Sequence, residues 1–229
     1  RTCTIIISAE NKQVFEIYEK GLAISTGDWA RFQTDVVRVT SQAKIVCLSG
    51  SLPPGCPSDA PADLIAAVQA IGRPVWVDTG GPALLAALAA RPAGLKINAA
   101  EAGEILGGNI DHPRHAVPAA AEFRHKGVET VVITLGKQGA VVVNGTGGWW
   151  AKPPDLPTIS AVGSGDSFLA GMVTGFEMGL PAAEALRRAV AAGAANALSP
   201  GGAQFTLSEF KAVMANISIK RMCNFKVVR

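Results

Sequence analysis

Cysteine is scarce and scattered in this chain. Cys3, Cys47, Cys56 and Cys223 form no C-x-x-C pair, so no zinc ribbon or disulfide framework is spelled out. Isolated thiols in a chain with an ample core read as a reducing, cytoplasmic setting. Histidine is scarcer: His112, His115 and His125 share one polar stretch. Pro113 interrupts the i, i+3 pair and no third ligand stands nearby, which argues against structural zinc. Dense basic blocks are absent too. Lysine and arginine total 21 against 18 acids, a balance without a nucleic-acid signal that still does not repel an anionic small substrate. Long apolar runs are also missing: Glu184, Arg187 and Arg188 break the alanine-rich stretches, so no segment reads as membrane-spanning. The start Arg1-Thr2-Cys3-Thr4 leads into a short strand-like run, with no apolar leader and cleavage site expected.

What is present is apolar and alternating. Hydrophobic residues make up 48% of the 229 positions and charged residues 17%, which excludes general disorder and suffices for one domain with a small appendage. Residues 2–7 and 13–18 read as two strands around a polar turn. A polar helix over 28–37 follows, with Ser25 or Thr26 near its cap. From residue 44 onward, strands at 44–48, 74–78, 94–97 and 130–134 alternate with helices at 61–71, 82–90, 99–106 and 116–126. That alternation predicts a parallel sheet covered on both faces and doubly wound by right-handed crossovers. A hairpin over 140–143 and 148–151 sends Trp149 and Trp150 to opposite faces, where they pack in the core or at a sheet edge, or else stack on a ligand. Helices over 166–178, 181–198 and 207–214 complete the pattern, with Pro181 suited to a first turn. Residues 211–229 show no clear period.

Gly163-Ser164-Gly165-Asp166-Ser167-Phe168 opens the first of these late helices. The glycines permit a tight turn and close backbone approach, and a helix start leaves N–H groups without partners. Such a turn suits a phosphate oxyanion, with Asp166 beside it to take a proton from an attacking hydroxyl. The same residues also make an ordinary glycine-rich turn with a carboxylate at a helix start; they are not a Walker A loop. Lys96-Ile97-Asn98-Ala99-Ala100-Glu101 fits a capping box, and equally offers polar groups to hydrated Mg²⁺ and nucleotide phosphates. Thr134-Leu135-Gly136-Lys137-Gln138-Gly139 ends a buried strand, where it either wraps phosphates or turns the chain. Gly193 and Asn196 line a base pocket, or serve as a packing glycine and a surface asparagine. Parallel α/β sheets gather loops at their strand C-termini, so these pieces gain weight jointly.

Ser49-Gly50-Ser51-Leu52-Pro53-Pro54-Gly55, Lys96 to Glu101, and Ala161-Val162-Gly163-Ser164-Gly165-Asp166-Ser167-Phe168 together resemble the PfkB branch of ribokinase-like sugar kinases. They look most like its phosphofructokinase group. The resemblance implies a three-layer α/β/α sandwich with a mostly parallel central sheet and a partial β lid. It divides the chain into a lid hairpin and linker over 1–27, a core over 28–217 and an atypical tail over 218–229. It implies ATP-dependent phosphoryl transfer to a hydroxyl of a phosphorylated ketohexose, with ATP and Mg²⁺ as cofactors. Asp166 matches the catalytic base, and Gly163, Ser164 and Gly165 the anion-hole turn, serine standing where alanine is common.

On the same resemblance, Asn98 and Glu101 organise magnesium through water, with Lys96 beside them on the cofactor side. Thr134, Gly136 and Gly139 match the nucleotide loop, and Gly193 and Asn196 its adenine side. Arg1, Ser49, Gly50 and Ser51 match the phosphosugar side. Family members also carry an opening strand with a sugar-binding aspartate and a glycine-rich sugar-recognition segment, neither of which occurs here. The expectation is therefore an incomplete sugar-binding half and self-association. The alternative reading is a catalytically weak nucleotide-binding or assembly protein built on a kinase core.

Overall fold

A computed structural model describes residues 2–8, 10 and 14–223. It begins with a two-stranded antiparallel hairpin of β1 (Cys3–Ile7) and β2 (Val14–Tyr18). Helix α1 (Thr26–Thr40) starts earlier than its polar pattern suggests, because Ser25 and Asp28 close a reciprocal capping box. The Ser25 hydroxyl accepts the Asp28 N–H, and the Asp28 carboxylate accepts the Ser25 N–H, both at 3.1 Å, satisfying two orphan donors at once.

Seven strands then lie side by side in chain order: β3 (Val46–Ser49), β4 (Val75–Asp78), β5 (Gly94–Asn98), β6 (Thr130–Thr134), β7 (Ala140–Asn144), β8 (Gly147–Lys152) and β9 (Ser218–Cys223). Neighbours from β3 to β6 run parallel and those from β6 to β9 antiparallel. The sheet is thus mixed, with its parallel half formed first. The parallel strands are connected by α2 (Ala60–Ala70), α3 (Gly81–Ala89), and α4 (Ala99–Leu106) followed by α5 (Pro113–His125). Because strand order advances in one direction, right-handed crossovers put these helices on one face. Ile65, Val68, Leu84, Leu88 and Phe123 accordingly share one core with Val75, Val77, Val131 and Ile133.

The second face is covered by α6 (Ser164–Glu177), α7 (Ala182–Asn196) and α8 (Leu207–Ala215), which pack on Trp76, Val132 and Val142. The third layer of the sandwich therefore comes from the late helices rather than from a second set of crossovers. Side-chain alternation along the strands feeds both cores: Trp150 packs with the first and Trp149 with the second.

Two close approaches set the packing of the sheet and of the helices on its second face. Trp76 and Gly94 are register partners on β4 and β5, and a Cβ on Gly94 would stand 2.1 Å from the Trp76 ring. Glycine therefore lets the indole cross the neighbouring strand and meet Phe176 at 5.5 Å. Between α6 and α7, Cβ atoms on Gly171 and Gly175 would lie 2.9 and 2.8 Å from the Cα atoms of Ala189 and Ala185. Small residues thus let these helices cross in near backbone contact.

Residues 218–223, within the stretch expected as a tail, form β9 against β8. The strand carries no apolar alternation because it is an edge, held by backbone pairing and by Arg221 stacked 5.5 Å over the Trp149 ring. Among the described residues no helix is long and apolar enough to cross a membrane.

Candidate active site

The parallel half of the sheet brings its strand ends to one edge. Ser49 and Asp78 are register partners at the ends of β3 and β4, as are Asn98 and Thr134 at the ends of β5 and β6. The loop after β3 is fastened to the next tip: the Gly50 N–H donates to the Asp78 carbonyl at 2.9 Å and the Thr79 hydroxyl to the Gly50 carbonyl at 2.7 Å. Gly50 sits at φ 93°, a conformation that only glycine adopts without strain.

Gly163, at φ 74°, caps α6, and Asp166 lies in the first turn of that helix. The Ser164 N–H is taken by the Ala161 carbonyl, and the Ser167 N–H closes onto Gly163. Among the described residues, the amides of Gly165 and Asp166 are the first-turn donors left for a ligand, at the positive end of the helix dipole. The Asp166 carboxylate is exposed and its Oδ1 accepts from the Ser49 hydroxyl at 3.3 Å. Helix α6 and the loop after β3, distant in sequence, thereby meet at one point.

Asn196, expected on the adenine side, is fully buried. Its Nδ2 donates to the Val162 carbonyl at 2.7 Å and the Ser164 hydroxyl at 3.1 Å; its Oδ1 accepts from the Ser167 hydroxyl at 3.2 Å and the Ala203 N–H at 2.6 Å. All four hydrogen-bonding positions of the amide are spent on the turn and the loop behind it. Asn196 shapes the anion turn from beneath, and its side chain does not line the cleft.

Lys96, eight per cent exposed, makes a two-oxygen ion pair with Asp78: Nζ lies 2.9 and 2.8 Å from Oδ1 and Oδ2. Burial pushes the Asp78 carboxyl up from its ordinary range; Lys96 opposes that shift and the nearby Asp166 charge adds to it. Asp78 was missed as a site residue. Its only signal is an acid ending the apolar run Val75-Trp76-Val77 at a strand tip.

The Asn98–Glu101 capping box is present. The Glu101 N–H donates to Asn98 Oδ1 at 2.9 Å, and the Asn98 N–H to Glu101 Oε2 at 3.0 Å. The cap leaves Glu101 Oε1, which faces Gly80: a Cβ there would stand 3.2 Å from it. Among the described residues no three His, Cys, Asp or Glu side chains gather into a metal cage. One available carboxylate oxygen beside a capped helix fits Mg²⁺, which keeps most of its waters and takes the rest of its ligands from phosphates.

A cleft of about 540 Å³ brings together Thr134, Gly136, Gly139, Ser164, Gly165 and Gly193. These are the expected nucleotide loop, part of the anion turn and the α7 glycine. Gly139 sits at φ 82°, where a Cβ would be 1.9 Å from the Ala151 carbonyl oxygen, so the loop turns directly into β7 against β8. Phe168, Val190 and Ala194 supply an apolar wall, and Lys137 a cation at the mouth. Lys137 belongs to the same Thr134–Gly139 loop, and its charge within a glycine turn is the sequence signal for it. The Ser49–Ser51 loop is not part of this cleft's lining; it reaches the site through the Ser49–Asp166 bond and the Gly50 bonds to the tip of β4. Arg1 lies outside the described residues.

Fold and cleft together define a ribokinase-like α/β/α sandwich. The chain belongs to the pfkB family of carbohydrate kinases, whose family model matches residues 1–208. It is 33% identical over 215 residues to the 1-phosphofructokinase of Escherichia coli K12, covering 93% of this chain and 69% of that protein. It is 36% identical over 192 residues to the 1-phosphofructokinase of Rhodobacter capsulatus, covering 83% and 61%. Among solved structures, phosphofructokinase-2 from Escherichia coli in complex with potassium superposes with a TM-score of 0.86 at 28% identity, covering 94% of this chain and 70% of the other. The same enzyme in complex with fructose-6-phosphate gives 0.82 at 28%, covering 92% and 68%.

Proposed function

We propose that this protein transfers the γ-phosphoryl group of ATP to a hydroxyl of a phosphorylated ketohexose. The observation that carries the reading is the position of Asp166: its carboxylate stands beside the free amides of the α6 turn, and that turn forms one wall of the cleft holding the Thr134–Gly139 loop. The acceptor oxygen attacks the γ-phosphorus while its proton passes to Asp166 Oδ. The bond from the γ-phosphorus to the β,γ-bridging oxygen breaks, and its electron pair leaves with ADP. The Gly165 and Asp166 amides meet the charge that gathers on the transferred group. The Phe168, Val190 and Ala194 wall holds the nucleotide base, and Ser49 orients the carboxylate from the acceptor side. Mg²⁺, when bound beside Glu101 Oε1, supplies charge neutralisation on the phosphates.

The named relatives make fructose 1-phosphate the first acceptor to try, with fructose 6-phosphate and tagatose 6-phosphate beside it. Calorimetry with ATP–Mg²⁺, then with each sugar phosphate, followed by a coupled ADP-release assay, tests the proposal. ATP binding and turnover of at least one phosphoketose are expected. Nucleotide binding with no sugar-phosphate binding or turnover would instead favour the nucleotide-binding alternative. The protein is also proposed to self-associate, because Ile6, Phe15 and Ile17 leave half or more of their surface exposed on the β1–β2 hairpin. Light scattering should give a mass above that of one chain.

A further inference from the structure

Gln138 belongs to the Thr134–Gly139 loop but is not among the residues that line the cleft, whereas Thr134, Gly136, Lys137 and Gly139 are. Its polar groups are engaged elsewhere. The side-chain Nε2 donates to the Asp111 carbonyl at 2.6 Å, and the backbone carbonyl accepts the Trp150 indole N–H at 2.7 Å. Trp150 comes from β8 and packs against the first core. Asp111 lies in the connection between α4 and α5, where its carboxylate accepts from Asn109 Nδ2 and meets His115 Nδ1, both at 3.0 Å. Gln138 is thus tied at once to two elements that are held in place without the loop.

The crest of the loop needs such ties. The ends are fixed, because Thr134 closes β6 and is the register partner of Ala140 in β7. Between them, Gly136–Gln138 form one short 3₁₀ turn, with Gly136 at φ 56° and Gly139 after it at φ 82°. A turn of this kind has poor hydrogen-bond geometry, and glycine on either side gives the backbone wide freedom. The Gln138 N–H to the Leu135 carbonyl at 3.1 Å and the Gly139 N–H to the Gly136 carbonyl at 2.9 Å close the turn on itself. They do not set where it stands. Among the described residues, Gln138 makes the hydrogen bonds that join the crest to the rest of the protein. The side chain is exposed, so its exchange of water for a protein partner adds little net stability. What it decides is the position of Gly136 and Lys137.

Resting on the kinase reading above, we infer that Gln138 is a positioning residue for the nucleotide, whose bonds to Asp111 and Trp150 hold the loop crest in the shape that presents Gly136 and Lys137 to the cleft. The effect is preorganisation. A crest free to visit several positions binds with an affinity lowered by the fraction of time it spends in the competent one. The proton acceptor and the anion turn stand on α6 and are untouched, so the chemical step at saturating ATP does not depend on this tie.

Gln138→Met keeps the length of the side chain and removes its donor. The variant should raise KM for ATP, and weaken calorimetric binding of a non-hydrolysable ATP analogue with Mg²⁺, by about three- to tenfold. At saturating ATP, kcat should stay within about twofold, as should KM for the phosphoketose. The urea midpoint should match wild type. Trp150→Phe, which keeps an aromatic ring in the core and loses the indole donor, should shift ATP affinity in the same direction; an unchanged value there would strike Trp150 from the inference. A Gln138→Met protein with wild-type affinity for the analogue overturns the inference alone. So does one whose loss falls equally on kcat, phosphoketose KM and the urea midpoint, since that pattern marks a residue of the fold and not of the loop. A wild-type protein that binds no ATP–Mg²⁺ overturns the kinase reading, and this inference with it.

Discussion

Asn196 Nδ2 donates to the Val162 carbonyl at 2.7 Å from a fully buried position in α7. The bond ties the α6 turn to the helix behind it, and the same amide holds Ala203, a non-glycine residue at φ 55°. Replacing Asn196 with alanine strands several buried polar groups, each costing about 1–3 kcal/mol. The expected loss in unfolding free energy is about 3 kcal/mol by urea denaturation. A variant within about 0.5 kcal/mol of wild type would show that the amide does not hold the turn.

Asp166→Ala removes the proposed proton acceptor while leaving the Gly165 amide and the cleft intact. Proton handling of this kind contributes about 10²–10⁴ in rate, so kcat in the coupled assay should fall by that factor. ATP affinity should stay within about threefold. Equal turnover in the variant would remove Asp166 from its assigned role.

Gly94→Ala forces a methyl into the Trp76 ring and should cost about 1–3 kcal/mol through overpacking. Trp76→Leu in the same chain opens the space, so the double variant should be more stable than the sum of the single changes implies. Strict additivity in a double-mutant cycle would mean that the contact across β4 and β5 is not the constraint it looks to be.

The Ser25 hydroxyl, the Ser25 N–H and Arg31 together hold the Asp28 carboxyl down to about 2, against 3.8 when unperturbed. A lowered folded-state value means that the contribution is present above the unfolded value and is lost as pH falls through the folded one. The capping box of α1 should therefore weaken between about pH 4 and about pH 2. Asp28→Asn cannot make that transition, and the stability gap between it and wild type should narrow across the window in denaturant titrations. A gap that stays constant with pH would rule out this linkage.

Much of the layered fold was legible because each short apolar run is bounded by glycine, proline or a polar turn, and the helices between are long enough to show their period. Three features were not. The helices of the second face could not be placed without the strand order, since only a monotonic order sends every crossover to the other side. β9 hid because an edge strand needs no apolar alternation. Asp78 hid because its partner is eighteen positions away and adjacent only through the pairing of β4 with β5. Asn196 shows the converse: its position in the chain suggested a ligand contact, and only its four partners reveal an internal brace. The turn at Gly163–Asp166 was readable because glycine spacing at a helix mouth is a local signal, whereas braces and charge pairs are made by tertiary contact.

The sequential order of β3 to β9 also bears on how the protein assembles during synthesis. From β4 through β8, each new strand finds its neighbour already made by the segment just before it, so the closures are short and incur little entropy. The anion turn is different: it needs α6, then Asn196 from the end of α7, then the loop carrying Ala203. A nascent chain can therefore hold a nearly complete sheet, with Asp78 and Lys96 already side by side, before it has anything with which to grip a phosphate. Ligand affinity arrives last, as the mark of a finished molecule.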